Sequence, residues 1–397
     1  MEANPRRVEQ QLRNFQRALD AYNNTEPFAR FLTKFFKENK QMGSSDRRMI
    51  SRLCYNIFRL GRSLQDLPTV DRLVIAEFLC ETQSAVVECY KPDWISNISA
   101  SIAEKIFFLA TQGYDVRNRL FPFASRLSPT IDTEQFVLSH LIQPDLFIRV
   151  PNNNKVVVEG ELVEHGVAFA PVFGNAYRLE NGSKLQNIKK IEGLYEVQDL
   201  SSQQSLEGLS LTPGEKWWDA CAASGGKSLL LLDRCPLIDL LVSDIRRSVL
   251  RNLDERFDKA KIKTNYRKKV LDLTQDIDHL MNGETFDAIL VDAPCSGSGT
   301  WGRTPEMLSQ FDEERIQTFA SLQRQIVDTV VRYLKPQGIL VYITCSVFEA
   351  ENEQLVRYLE DKHALVVEEG GIIKGYNRKS DSMFAVRLRK PTHIYRE

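Results

Sequence analysis

From about residue 197 to 388 the chain alternates short apolar runs with stretches of helical periodicity, and this rhythm limits the fold more than anything else in it. Runs at 217–220, 237–242, 270–272, 286–291 and 339–344 suit buried strands. Between them, 227–233, 248–257, 312–334 and 349–361 carry helical spacing, and strands at 364–368 and 384–388 close the segment. Strands alternating with helices predict an α/β domain with a doubly wound, mostly parallel, Rossmann-like sheet.

Chemistry gathers where those strands end. Residues 292–306 read Asp-Ala-Pro-Cys-Ser-Gly-Ser-Gly-Thr-Trp-Gly-Arg-Thr-Pro-Glu, directly after the run 286–291. Cys295 therefore follows one strand, and Cys345, in Thr344-Cys345-Ser346, follows another. Ligands of open α/β sheets bind at strand C-terminal ends. The glycines of Ser-Gly-Ser-Gly allow a sharp turn and a close approach. The first strand leads into Cys221-Ala222-Ala223-Ser224-Gly225-Gly226-Lys227, whose amides at a helix N-terminus favour an anionic group. Gly226-Lys227-Ser228 matches only the tail of a phosphate loop, because Cys221 stands at the leading-glycine position. Asp244, Asp272 and Asp292 follow the next three strands. A carboxylate after the second strand suits ribose hydroxyls. One after the third can accept from an adenine amino group. With the 221–227 loop they outline a site for an adenosine-type cofactor.

The rest of the chain reads differently. Residues 1–142 form a helical domain, with Phe28, Leu32, Phe35 and Phe36 on one face and Ile50, Leu53, Cys54, Ile57 and Phe58 on another. Ser44 or Ser45 is the expected N-cap of the second of these helices. A further helix is expected over 98–109, with Ile98, Ile102 and Ile106 on one face. Residues 143–196 read as a small α+β connector, and 197–397 as the sheet domain. Cys54, Cys80 and Cys89 sit among apolar residues as core thiols. Seven scattered cysteines do not form a disulfide framework and point to a reducing, cytoplasmic setting. The start lacks the apolar core of a secretory signal, and no run nears the roughly 20 residues of a membrane span. No metal and no membrane partner is expected. Net charge is −1, yet 246–269 and 374–390 are locally basic, which suits either a solvated face or a patch for a nucleic-acid backbone.

Taken together, Val197-Gln198-Asp199-Leu200-Ser201-Ser202-Gln203, the 221–227 loop, Asp-Ala-Pro-Cys-Ser-Gly at 292–297 and Thr344-Cys345-Ser346 resemble the Sun-type (RsmB-like) RNA cytosine C5-methyltransferases. The resemblance covers roughly 143–389, and the segment from Ser45 to Arg59 resembles the NusB-like helical domain that precedes many members. It implies S-adenosyl-L-methionine as cofactor and RNA as partner, ribosomal RNA first. The alternatives are transfer RNA or a non-catalytic RNA-binding ribosome assembly factor. Cytosine C5 is a poor nucleophile until a thiolate adds to C6. An acid must support that adduct and a base must remove the C5 proton. The residues alone leave the attacking thiol open between Cys295 and Cys345. The resemblance makes Cys345 the nucleophile and Cys295 the release cysteine, with Asp292 at the cytosine edge or cofactor and Lys227 positioning the base or favouring a thiolate. A helix beginning after Ser346 would favour a thiolate at Cys345. The target base must flip out of its stack, and Trp301, Arg303 and Pro305 are expected to line its pocket. The chain departs from the family pattern at Ser224, where proline is usual, and at Asp381-Ser382-Met383-Phe384, where Asp-Gly-Phe-Phe is usual.

Overall fold

The computed structural model describes residues 4–262, 264 and 266–392. By contact the chain divides into two compact units. One holds residues 4–125, Asp132–Gln143 and Thr300–Glu313; the other holds Arg126–Ile131, Pro144–Gly299 and 314–392.

The first unit is helical. Pro5–Ala21, Phe28–Glu38, Ser44–Arg59, Thr69–Cys80 and Ile102–Thr111 turn apolar faces inward, closing Phe15, Leu32, Phe35, Leu53, Ile57, Leu73 and Phe78 into one core. Two local expectations shift. The helix from Ser44 has Gly43 at its N-cap with no side-chain cap, because Ser44 and Ser45 already belong to its first turn. The helix expected over 98–109 starts at Ile102, where Ser101 and Glu104 form a reciprocal capping box. Arg59 is buried and donates through Nη1 to the carbonyls of His140 (2.8 Å), Ile142 (3.3 Å) and Gly302 (3.0 Å). Arg62 donates to the carbonyls of Ser309 and Phe311, and the Glu306 carboxylate accepts from Phe28 N–H. Thr300–Glu313 follows the Cys295 motif in the chain, yet it is built into this helical core.

The second unit contains two sheets. β1 (Leu146–Arg149), β2 (Phe169–Phe173), β3 (Ala176–Leu179) and β4 (Glu196–Val197) pair antiparallel in the order β2-β3-β1-β4. The larger sheet has β5 (Lys216–Asp219), β6 (Asp239–Asp244), β7 (Tyr266–Val270), β8 (Phe286–Asp292), β9 (Leu334–Thr344), β10 (Val366–Ile373) and β11 (Met383–Arg389). Their order is β10-β11-β9-β8-β5-β6-β7, parallel from β9 to β7, with β11 running antiparallel between β9 and β10. The central strands read as unbroken apolar runs because helices cover both faces. Trp218 packs into one core with Ile289 and Leu340, and Trp217 into the other with Leu229 and Phe257. The helix expected over 312–334 spans Glu314–Val330; a 3₁₀ turn follows at Val331–Tyr333, and Leu334 already pairs with Phe286. Strand order reverses between β5 and β8, which is where such sheets open a crevice. Among the described residues no helix is long and apolar enough to cross a membrane.

Candidate active site

The turn after β5 is the first wall of that crevice. Ala223 takes φ 47° and Gly225 φ 80°, and the helix Gly226–Arg234 starts at once. A Cβ on Gly225 would lie 2.7 Å from Leu253 Cγ and 2.8 Å from Phe257 Cε1. What approaches this glycine closely is therefore the helix Arg247–Lys259. Ser224, at the family's proline position, takes a 3.3 Å hydrogen bond from Arg256 Nη1. Cys221 is pushed well up, by burial first and then by the carboxylates of Asp219, Asp292 and Asp244, so it stays a thiol.

The expected carboxylates stand near the strand ends, each with local partners. Asp244 ends β6, accepts from Ala223 N–H at 3.1 Å and is paired with Arg246. Asp272 lies two residues beyond β7 and accepts from the Thr274 N–H and hydroxyl, an Asx-type turn. Asp292 ends β8 and accepts from Lys227 Nζ at 2.6 Å. Lys227 is almost fully buried. Burial alone would lower its ammonium, but Asp292, and further off Cys345, more than offset that and raise it. Reading the strand ends for cofactor carboxylates stopped short of Asp219 at the end of β5. It is 1% exposed, accepts from Ser228 Oγ at 2.5 Å, and its Oδ1 has no hydrogen-bond partner among the described residues. Burial first, then the charges of Asp292 and Asp244, push its carboxyl up to about 7.

The two motif cysteines meet. Cys295 Sγ lies 3.2 Å from Cys345 Sγ, the two residues following adjacent parallel strands β8 and β9. The hydrogen bond with Cys345 comes first in raising the Cys295 thiol well above its ordinary value, followed by burial and the charge of Glu351. Cys295 therefore holds its proton, and either sulfur can be the donor in this contact.

Behind the thiols lies a buried polar network that motif reading did not foresee. Glu351 is fully buried; its Oε2 accepts from Ser296 N–H at 2.8 Å and Gln323 Nε2 at 3.0 Å, and its Oε1 accepts from Ser346 Oγ at 2.6 Å. Asn352 accepts from Thr344 Oγ1 at 2.6 Å and donates to the Ser346 carbonyl at 3.0 Å. The only sequence signal is polar: serines directly after both cysteines, then Glu-Asn a few residues on.

Two expectations are corrected here, and one open alternative is narrowed. No helix starts after Ser346: a 3₁₀ turn comes at Glu349–Glu351 and the helix only at Glu353–His363, because the 346 hydroxyl and carbonyl are spent on Glu351 and Asn352. Trp301 is 1% exposed among Phe121, Phe123 and Phe311, a core residue of the helical unit instead of a pocket wall. The basic stretch 246–269 is largely paired within its own unit: Arg256 with Glu196, Lys259 with Glu192, Arg267 with Asp239, Lys268 with Asp254 and Lys269 with Glu284. That pairing favours a structured face over an open cationic patch.

A sheet of this order with β11 reversed is a Rossmann-like fold, shared with the solved structures it superposes on. Residues 207–385 match the family described as 16S rRNA methyltransferase RsmB/F. Ribosomal RNA small subunit methyltransferase B of Xylella fastidiosa (strain 9a5c) is 42% identical over 161 residues, 40% of this chain and 38% of that protein. The same-named protein of Shewanella oneidensis is 35% identical over 186 residues, 44% of this chain and 43% of that protein. The chain thus matches under half the length of these curated relatives. Among solved structures, the crystal structure of PH0851 superposes with TM-score 0.71 at 21% identity, covering 92% of this chain and 95% of that one.

Proposed function

We propose that this chain methylates C5 of a cytosine in RNA, ribosomal RNA first, with S-adenosyl-L-methionine as methyl donor and Cys345 as covalent nucleophile. The observation that carries the reading is the thiol pair: Cys295 and Cys345, 3.2 Å apart beside the Lys227–Asp292 ion pair. Binding RNA alone requires neither sulfur.

The residues present fit the cofactor. Carboxylates of Asp219, Asp244 and Asp292 crowd the ends of β5, β6 and β8, and one oxygen of Asp219 has no hydrogen-bond partner among the described residues. A ligand bearing cationic sulfur, an ammonium and ribose hydroxyls would relieve that crowding. Asp244 would take the ribose after exchanging Arg246, and the amides of 222–226 would face the amino-acid carboxylate. When bound, the cofactor supplies an electrophilic methyl group on sulfur.

The protein supplies the rest. Cys345 sulfur adds to C6 of the flipped base while Cys295 S–H and the Lys227 ammonium stabilise its thiolate. The new S–C6 bond pushes electron density onto C5, the carbon to be methylated. Asp292, held by Lys227, accepts from the cytosine amino edge. The C5 proton must then leave so that the S–C6 bond can break and the ring recover. The burial and charge that raise the Cys295 thiol also make its thiolate a strong base for that step, once its own proton has gone to solvent.

RNA containing 5-azacytosine tests this, because the adduct on that base cannot lose a C5 proton. Incubated with cofactor, the protein should form a complex that survives denaturation. Cys345→Ala should abolish it, and Cys295→Ala should let adduct with ordinary RNA accumulate. Adduct formed by Cys345→Ala but not by Cys295→Ala would reverse the assignment.

A further inference from the structure

Glu351 is, among the described residues, the one carboxylate bound to the residue that follows each cysteine. Its Oε2 accepts from Ser296 N–H and its Oε1 from Ser346 Oγ. The two serine hydroxyls are themselves 3.1 Å apart, and Ser298 Oγ lies 3.1 Å from one and 3.2 Å from the other. Glu351 is held in turn by Gln323, which also donates to the Pro294 carbonyl on the other side of Cys295. The Tyr342 hydroxyl donates to the Glu351 carbonyl at 2.8 Å. Glu351, Gln323, Tyr342 and the three serines are nearly or fully buried. A charged acceptor in such a place is retained only if its donors are met, and here three donors converge on it.

Resting on the function proposed above, we propose that Glu351 is the positioning residue of the thiol pair. Its carboxylate locks the Asp-Ala-Pro-Cys-Ser loop to the Thr-Cys-Ser loop and so fixes the separation of Cys295 and Cys345. Removing it leaves Ser296 N–H and Ser346 O–H without their acceptor, and the tie between the loops is reduced to the Ser296, Ser298 and Ser346 hydroxyls and the Gly299 N–H. A displacement of about 1 Å is enough to cost on the order of a hundredfold in a reaction that needs two groups in register. Its charge has a second consequence. The titratable groups facing Cys295 are Cys345, Glu351 and Tyr342. Of these, Glu351 is the carboxylate; burial raises its own carboxyl, and its ionised form adds to the Cys345 hydrogen bond and to burial in keeping the proton on Cys295.

The test reads the thiols directly, without RNA or cofactor. Phenylarsine oxide is captured tightly only by two sulfurs held together. The wild-type protein should capture one equivalent, and Cys295→Ser and Cys345→Ser should each lose it. Glu351→Ala should weaken capture by about tenfold or more. Glu351→Gln keeps the size and both contacts, since its amide nitrogen can donate to Ser346 Oγ, and should restore capture. In that variant the pH midpoint for iodoacetamide alkylation of Cys295 should move down, because the charge is gone. Should Glu351→Ala not fold, Glu351→Asp carries the test: it keeps the charge but withdraws the carboxylate by one methylene, and capture should fall likewise. Wild-type capture by a folded Ala or Asp variant overturns the proposal, as does an unmoved alkylation midpoint in Glu351→Gln. A protein whose thiol pair depends on Glu351 but which forms no adduct with 5-azacytosine RNA would sink the methyltransferase reading and leave this one standing.

Discussion

Cys295 Sγ and Cys345 Sγ approach to 3.2 Å across the ends of two parallel strands, nearer than two independent buried thiols need to be. A covalent S–S bond is about 2.05 Å long, so joining them takes a shift of little more than 1 Å. Diamide should therefore oxidise the pair, two thiols giving up two electrons and two protons to the reagent and forming one disulfide. Non-reducing peptide mass spectrometry should find Cys295 linked to Cys345. Adduct formation on 5-azacytosine RNA should vanish and return with dithiothreitol. Persistent adduct formation in the oxidised protein would mean the sulfurs are not partners in one site.

Gly299 occupies the narrowest place around this pair. Its N–H donates to the Cys345 carbonyl at 2.9 Å, and its own carbonyl accepts from Ser382 N–H at 2.8 Å. A Cβ there would sit 1.9 Å from the Ser382 carbonyl oxygen. Gly299→Ala should thus destabilise the fold by about 3 kcal/mol, near the upper end for overpacking, while a serine-to-alanine change at partly exposed Ser183, whose hydroxyl bonds only the Glu180 carbonyl of its own turn, should be nearly silent. Urea unfolding measures both. The same contact gives Asp381-Ser382-Met383-Phe384 its place: the departure from the family pattern lies against the Cys345 loop, through backbone and not side chain.

The doubly wound sheet was legible because short, mostly apolar runs at 217–220, 286–291 and 339–344 alternate with stretches of helical spacing. Both cysteines were legible because each directly follows such a run. The glycines of Ser-Gly-Ser-Gly signalled a sharp turn and a close approach, but not what comes close. Ser298 is fully buried and Gly299 is wedged, and neither fact has any local signature, since both depend on residues 345–382 folding back. Glu351 stayed hidden for the same reason. A glutamate before a helix reads as a capping or solvated residue until the tertiary fold places three donors around it. Thr300–Glu313 carries turn residues and one tryptophan, and only the packing of Trp301 on Phe121 and Phe123 assigns it to the helical core.

Arg59 gives that helical core a single point of failure. Its guanidinium, 1% exposed, is bound to three carbonyls and lies 3.3 Å from Gln143 Oε1. Arg59→Met fills most of the volume but strands those acceptors. Hydrogen bonds from a charged donor contribute about 1.5–3 kcal/mol each, so the unit should lose about 3 kcal/mol or more. Tryptophan fluorescence during urea unfolding, which includes buried Trp301, should show an early transition. An unchanged midpoint would mean that water replaces the guanidinium without cost.

Asp219 should make stability depend on pH in the direction opposite to an ordinary salt-bridged carboxylate. Burial, then the charges of Asp292 and Asp244, put its folded carboxyl at about 7, above the ordinary aspartate value of 3.8. Between those values the folded state binds a proton that the unfolded state has released, so stability falls as pH rises. The favourable contribution is complete below about pH 4 and is lost by the time pH passes about 7, a span worth on the order of 4 kcal/mol at most. Asp219→Asn removes this titration while keeping an oxygen for Ser228 Oγ. The variant should therefore gain on the wild type steadily from pH 4 to 7 and hold a constant difference above pH 8. Comparing the two proteins at each pH cancels the other titrating groups. Thermal melts at half-unit intervals would show it, and a difference flat across pH 4–8 would mean that Asp219 is ionised in the folded protein throughout that range.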